Sequence, residues 1–224
     1  MATYKLNIGR IRGCPPARKV QELMERFGLP ESEEYGVLDA AANDDSLAGR
    51  IVRRVNQTVQ HLDYQARQVV SAPIEKVTCY PFSIVPRKER LEVYAGAAGS
   101  LKELAAFLTS ALGLSVVIDP VELDVLSCIE KLAKSTQRFQ LRSVRVSDFS
   151  HNSYMIGPYA PRFADSDHGK DFLQEYAEAV TAASVKFQLQ HGRSTATLAP
   201  TACFSYSCHE DDTTAAKAVL RGLI

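Results

Sequence analysis

The sequence has no net charge, no long apolar run and no paired-cysteine motif. Lysine and arginine total 26, as do aspartate and glutamate, so the formal net charge is zero. This balance excludes a polybasic, histone-like mode of nucleic-acid binding, although it allows a local basic patch. No stretch of about eighteen apolar residues is present, and residues 1–13 lack the apolar core of a signal peptide. We therefore expect neither a transmembrane helix nor secretion.

Cysteines are few, scattered and odd in number. They are Cys14, Cys79, Cys128, Cys203 and Cys208, and none forms a C-x-x-C pair. Such usage indicates a reducing compartment and mostly buried, unreactive thiols rather than a disulfide framework. We expect a cytoplasmic protein.

The common catalytic and phosphate-binding motifs are also missing. The sequence has no G-x-S-x-G, Walker A, G-x-G-x-x-G or H-E-x-x-H segment. "GAAGSLKEL" at 96–104 comes nearest to a phosphate loop, but it lacks the Lys-Ser/Thr ending, and a helix start explains it. We therefore predict no cofactor, and we favour a protein without catalytic activity while leaving an enzyme open.

Hydrophobic periodicity is plentiful and predicts an α+β fold. The 224 residues are 46% hydrophobic, which is enough for a sizeable core. Helical spacing is present at 17–28, 46–70, 100–113, 120–135, 170–183 and 211–223. Strand patterns are present at 3–11, 75–86, 90–96, 114–119, 137–149, 185–190, 194–199 and 203–208. We expect a twisted, mainly antiparallel sheet with helices on one face.

The acidic stretch at 30–45 predicts a loop and is the best candidate for a linker. It suggests an N-terminal strand and helical region at 1–72 and an α+β sheet domain at 73–224. The alternative is one continuous domain.

Two segments repeat an order of strand, strand and helix, at 79–113 and at 185–224. In the second, "TATLAP" at 195–200 and "HEDDTTAAKAV" at 209–219 resemble the closing part of a repeat of the TATA-binding-protein-like fold. "YPFSIVPRKERLEVYAG" at 80–96 is similar to the same unit. The resemblance implies a saddle of sheet and helices. Thr201 and Cys208–His209 stand where that family usually has glycines, and no functional residue is carried over.

"CFSYSCHEDD" at 203–212 has the chemistry of a metal site but the spacing of a strand followed by a helix start. Alternation predicts that Phe204, Tyr206 and Cys208 are buried. Carboxylates favour the N-terminus of a helix, so we expect Glu210 and the two aspartates to cap the last helix.

A second group of polar residues lies in the irregular connection 151–169. His151, Asp165, Asp167 and His168 could bind a divalent ion in a small metal-dependent hydrolase. "DSDHG" is equally typical of a turn and N-cap before a helix. The same connection holds Tyr154, Met155, Ile156, Tyr159 and Phe163, residue types that favour a protein–protein adaptor or assembly subunit.

Basic and amide side chains recur on two predicted strands. In "RFQLRSVRV", Arg138 and Arg142 share one face, while Arg145 falls on the other unless a bulge intervenes. "KFQLQHGR" adds Lys186, Gln188 and, beyond the strand, Arg193. A solvated sheet has similar residues, but such a face can also follow a phosphate backbone.

The function that we favour is binding of nucleic acid, either alone or as a subunit of an intracellular nucleic-acid-handling complex. The predicted contacts are Arg138, Arg142, Lys186, Gln188 and Arg193, with Arg53 and Arg54 on the predicted helix 46–70 as secondary contacts. A protein partner or a homo-oligomer is compatible with this interpretation, and a membrane partner is not expected. The adaptor and the metal-dependent hydrolase remain the alternatives.

Overall fold

The fold is α+β, as the periodicity predicts. The computed structural model describes residues 2–28, 33–94, 98–113, 115–152 and 155–224, excluding the side chains at 2, 98–100, 151, 152 and 155. Within this part of the chain, the α-helices are α1 (Ala17–Phe27), α2 (Ala98–Leu112), α3 (Val125–Ser135), α4 (Ser166–Glu175) and α5 (Thr213–Arg221). The strands are β1 (Ala2–Arg12), β2 (Tyr35–Ala42), β3 (Leu47–Asp63), β4 (Gln68–Val85), β5 (Arg90–Val93), β6 (Val117–Pro120), β7 (Gln137–Asn152), β8 (Met155–Tyr159), β9 (Val180–Gln188), β10 (Arg193–Leu198) and β11 (Cys203–Cys208). None of the described helices has the length and apolar character needed to cross a bilayer.

The chain divides into two compact units that are not continuous in sequence. The larger unit comprises Met1–Arg10, Tyr94–Lys102 and Asp119–Ile224. The smaller unit comprises Ile11–Val93 and Glu103–Ile118. The predicted division between residues 72 and 73 lies within β4.

The larger unit is an antiparallel sheet with helices on one face. Its strand order is β1-β11-β10-β9-β7-β8, and the described pairs are antiparallel. Alternate strand residues, including Leu6, Val185, Leu198 and Phe204, are fully buried and form one core with apolar residues of α3, α4 and α5. Because side chains alternate along a strand, the polar residues between them face away from this core.

The smaller unit is a sheet of order β2-β3-β4-β5. Its described pairs are antiparallel. Leu47, Ile51, Phe82 and Ile84 are buried in it. β3 and β4 form a long hairpin whose register runs from Leu47 opposite Ile84 to Asp63 opposite Gln68.

The helix predicted at 46–70 is wrong, because this segment forms β3 and the start of β4. The apolar positions that suggested a helix include Leu47, Ile51, Val55 and Val59, which are four residues apart. A spacing of four is close to one helical turn, but it is also two strand periods and places all four side chains on one face of a strand.

The structure also differs from the prediction at 30–45 and at 170–183. The predicted loop at 30–45 contains β2, whose alanine-rich sequence forms a strand because it pairs with β3. The helix predicted at 170–183 begins earlier, at Ser166, and ends at Glu175, and β9 begins at Val180. Asp165, rather than a residue nearer 170, caps this helix by accepting hydrogen bonds from the backbone N–H groups of Asp167 and His168.

Candidate nucleic-acid interface

The larger unit presents a polar sheet face on the side away from its core. Two cross-strand rows define this polar face. The first row, from β7 to β1, is Gln140, Lys186, Thr195, Ser207 and Thr3. The second row is Ser143, Ser184, Thr197, Ser205 and Lys5. These two rows contain hydroxyl, amide and ammonium groups and no carboxylate, so they offer donors to an anionic ligand.

A β-bulge in β7 adds a cation to the polar face. Leu141 pairs with Val185 and Ser143 pairs with Ser184, so Arg142 is the extra residue between two paired positions. The bulge shifts the alternation by one residue, and Arg145, opposite Ala182, comes to lie on the polar face. The sequence alone could not locate this bulge, which is why Arg145 was not among the predicted contacts.

Four of the five strand residues predicted to bind nucleic acid line one cleft at the end of the polar face. The cleft has a volume of about 160 Å³ and is lined by Arg138, Gln140, Lys186, Phe187, Gln188 and Arg193. The pairing explains this convergence, because Gln188 lies between Gln137 on β7 and Arg193 on β10. Arg142 is exposed but does not line the cleft. We refer to this site as the basic cleft.

Arg138 has an unusual backbone conformation, with a φ of 49°. Residues other than glycine rarely adopt this left-handed conformation, because it costs of the order of 1–3 kcal/mol. The register of β7 against β9 is irregular at the same point, between Gln137 and Gln140. The register shift and the left-handed conformation thus occur together at Arg138, a residue of the basic cleft. Backbone strain of this kind is frequent at functional sites.

The three cations of the basic cleft have no acidic neighbour in the described part of the chain. No described carboxylate oxygen lies within 4.0 Å of a side-chain nitrogen of Arg138, Lys186 or Arg193. Arg138 and Arg193 are exposed and Lys186 is half-buried. Three like charges at one cleft repel one another, and an anion bound among them would relieve that repulsion.

A larger cleft lies beside the basic cleft and shares two of its residues. It has a volume of about 470 Å³ and is lined by Ser135, Thr136, Gln137, Arg138, Gln188, Leu189, Gln190 and Val219. Its lining is mostly amide and hydroxyl groups. Arg138 and Gln188 border both clefts.

Arg53 and Arg54 lie in different surroundings, on β3 of the smaller unit rather than on a helix. Arg53 is bound to two carboxylates, with Nε 2.6 Å from Oε1 of Glu34 and Nη1 3.0 Å from Oε2 of Glu103. Nε of Arg54 is 3.6 Å from Oε1 of Glu75. Both predicted secondary contacts are thus already paired with carboxylates within their own unit.

The polar residues of the 151–169 connection form a helix cap. Nδ1 of His168 lies 2.7 Å from Oδ2 of Asp165. This hydrogen bond raises the pKa of His168, and the His168 backbone N–H and imidazole lower the pKa of Asp165. His151 has its side chain outside the described residues. Within the part of the chain that is described, no three His, Cys, Asp or Glu side chains are grouped as metal ligands.

The segment "CHEDD" links β11 to α5 and contacts the turn between β9 and β10. Cys208 is buried together with Phe204 and Tyr206, as the alternation predicts. The expected caps are wrong in detail, because the Asp212 carboxylate makes no capping hydrogen bond to α5. It is buried and instead accepts hydrogen bonds from the backbone N–H of His191, at 3.0 and 3.2 Å. Nδ1 of the same histidine is 2.9 Å away from Oδ1.

Two of the aromatic residues in the 151–163 connection pack against other aromatic rings of the larger unit. Tyr159 packs on Phe149 with ring centroids 4.4 Å apart, and Phe163 packs on Phe172 at 5.7 Å. Ile156 is 73% exposed. Tyr154 and the side chain of Met155 lie outside the described residues, and the adaptor hypothesis stays a prediction.

No protein-family model matches the chain, and no curated protein is significantly similar to it in sequence. The resemblance of the C-terminal third to the TATA-binding-protein-like fold therefore stays a prediction.

Proposed function

We propose that the protein binds nucleic acid through the polar face of its larger unit and that the basic cleft holds phosphate groups of the backbone. The observation that carries this proposal is the convergence of Arg138, Lys186 and Arg193 on one cleft, with no described carboxylate oxygen within 4.0 Å of their side-chain nitrogens. Arginine and lysine are the side chains that most often contact nucleic-acid phosphates.

The composition of the polar face supports the same interpretation. Serine and threonine hydroxyls and glutamine amides donate hydrogen bonds to phosphate and sugar oxygens without reading the base sequence. Lys5 and Arg145 extend the positive charge away from the basic cleft across the sheet. We therefore propose binding with little sequence preference.

Zero net charge is compatible with this function because the charges are unevenly distributed. The charged side chains in the two rows of the polar face, Lys5 and Lys186, are both cations, while carboxylates pair with Arg53 and Arg54 in the smaller unit. Electrostatic attraction acts over a Debye length of about 8–10 Å at ordinary salt, so local rather than total charge governs an encounter with a phosphate backbone. A cytoplasmic location, expected from the scattered cysteines, and membership of a nucleic-acid-handling complex belong to the same proposal.

Titration of labelled oligonucleotides with the purified full chain tests the proposal. Single-stranded and double-stranded DNA and RNA are compared by fluorescence anisotropy at about 50 mM and 200 mM salt, the range over which phosphate contacts weaken strongly. We expect saturable binding at the lower salt concentration and weaker binding at the higher one. Absence of binding to all four nucleic acids at low salt would contradict the proposal.

A further inference from the structure

The hairpin of β3 and β4 extends beyond the strands that flank it. β2 pairs with β3 as far as Arg53, and β5 pairs with β4 only from Phe82 onward. Between these limits, at 55–77, β3 and β4 pair only with each other among the described residues. We call this segment the hairpin arm. A two-stranded hairpin is marginally stable by itself in water.

The hairpin arm exposes apolar side chains that a solvated hairpin does not require. Val69 is 64% exposed, Val77 57%, Leu62 49% and Ile74 42%. They lie on both faces, because Leu62 pairs with Val69 while Ile74 pairs with Gln57 on the opposite face. Several exposed apolar side chains within one short segment indicate an interaction surface.

The two outer edges of the arm differ in chemistry. The edge of β4 carries Pro73, Glu75 and Lys76, residue types that discourage the pairing of a further strand. The edge of β3 at 55–62 reads "VNQTVQHL" and has no proline, no glycine and no Asp, Glu, Lys or Arg. Its backbone N–H and C=O groups therefore form an unprotected template for strand addition.

We propose that this β3 edge pairs with the same edge of a second copy of the chain, forming an antiparallel four-stranded sheet from two hairpin arms. The β3 edge at 55–63, which pairs with no other strand in the described part of the chain, has Val59 at its centre. A two-fold axis through this point places Val59 opposite Val59 of the second copy.

The same register fits the remaining positions. Gln57 lies opposite His61, and Thr58 opposite Gln60. The charged residue of the segment, Asp63, lies opposite Val55. No like charges face each other, and every residue retains a neighbour on the same face of the new sheet. The edge is thus complementary to itself, and we choose a second copy rather than a different protein as its occupant.

Sedimentation equilibrium of the full chain tests the proposal. We expect a concentration-dependent dimer with twice the chain mass of 24.6 kDa. Val59→Lys and Val59→Glu each place like charges opposite one another at the two-fold axis, and each variant is expected to be monomeric at concentrations where the wild type is dimeric. An equimolar mixture places Lys opposite Glu and is expected to restore the dimer.

Val69→Lys is the matched control, because it introduces the same charge on β4, away from the proposed edge. It is expected to dimerise like the wild type, and circular dichroism of each variant checks that it folds. Amide hydrogen exchange at 55–62 should slow on dimerisation of the wild type. A monomeric wild type, a Val59→Lys variant that dimerises normally, or a mixture that stays monomeric would overturn the proposal. A different protein that protects the 55–62 amides of a monomeric chain would likewise overturn it.

Discussion

Gly13 shows how one residue can fix the path of the chain after β1. Its φ is +68°, a conformation that L side chains rarely adopt, and a Cβ atom added here would collide with the carbonyl oxygen of Ser115. The obstacle is backbone, so it cannot move aside as a flexible side chain can. A substitution at this position therefore adds backbone strain to a clash.

We accordingly predict that Gly13→Ala lowers the free energy of unfolding by about 1–3 kcal/mol. Urea denaturation followed by circular dichroism measures the change. Gly157→Ala is the control, since no atom of the described residues, its two chain neighbours aside, lies within 4 Å of its added Cβ, and it should have little effect. Equal stabilities for wild type and Gly13→Ala would show that the chain relaxes around this position.

The five thiols should react at very different rates. Cys79 is exposed, whereas Cys128 and Cys208 are buried. Burial raises the pKa of Cys14 to about 11, so little thiolate is present at neutral pH. We predict that iodoacetamide at pH 7.5 labels Cys79 first and leaves Cys14, Cys128 and Cys208 unlabelled in the native protein. Peptide mass spectrometry of a time course checks the order, and early labelling of Cys128 or Cys208 would contradict the described packing.

At the scale of elements, Asp212 joins the start of α5 to the turn between β9 and β10. Burial by itself raises the pKa of Asp212, but the hydrogen bonds from the His191 side chain and backbone outweigh it, and the pKa is lowered. The ordinary pKa of an unfolded aspartate is about 3.9. The ionised form therefore stabilises the fold above that pH, and this stabilisation is lost as the pH falls through the lower, folded-state pKa.

We predict that Asp212→Asn destabilises the protein at pH 7 and that the deficit relative to the wild type shrinks as the pH falls below 4. Thermal unfolding across pH 3–7 measures both effects. Asp211→Asn is a suitable control, because Asp211 is exposed and its carboxylate lies 3.4 Å from Nδ1 of His209, whereas the hydrogen bonds from His191 go to Asp212. A constant difference between wild type and Asp212→Asn across this range would show that the charge is not responsible.

The predicted elements agree with the structure where local periodicity and core burial coincide. β1, α1 and β11 follow the expected ranges because each has one face buried in a core. The sequence predicts a helix for β3 because a spacing of four residues fits both the helical period and the strand period. In the outer half of β3, burial does not distinguish the two, since Leu62 is 49% exposed. A hairpin of this length depends on cross-strand pairing, which a local pattern does not reveal.

At the scale of the whole molecule, the sequence allowed the residues of the candidate site to be named but not their arrangement. Alternation correctly placed Lys186 and Gln188 on a polar face because β9 is regular there. The bulges of β7 alter which arginines lie at the candidate site. Arg142 lies outside the basic cleft, and Arg145 lies on the polar face. Bulges depend on the partner strand, so they could not be predicted from β7 alone.

The most direct test of the central claim is the salt dependence of oligonucleotide affinity with and without the cations of the basic cleft. The variant carries Arg138→Ala, Lys186→Ala and Arg193→Ala, and the control is Lys134→Ala on α3, on the helical side of the larger unit. For single strands, log K falls with log [salt] by about 0.7 for each phosphate neutralised. Removing three phosphate contacts should therefore make the slope shallower by roughly 2 and weaken binding at low salt. The control should match the wild type, whereas an unchanged slope and affinity in the triple variant would contradict the account.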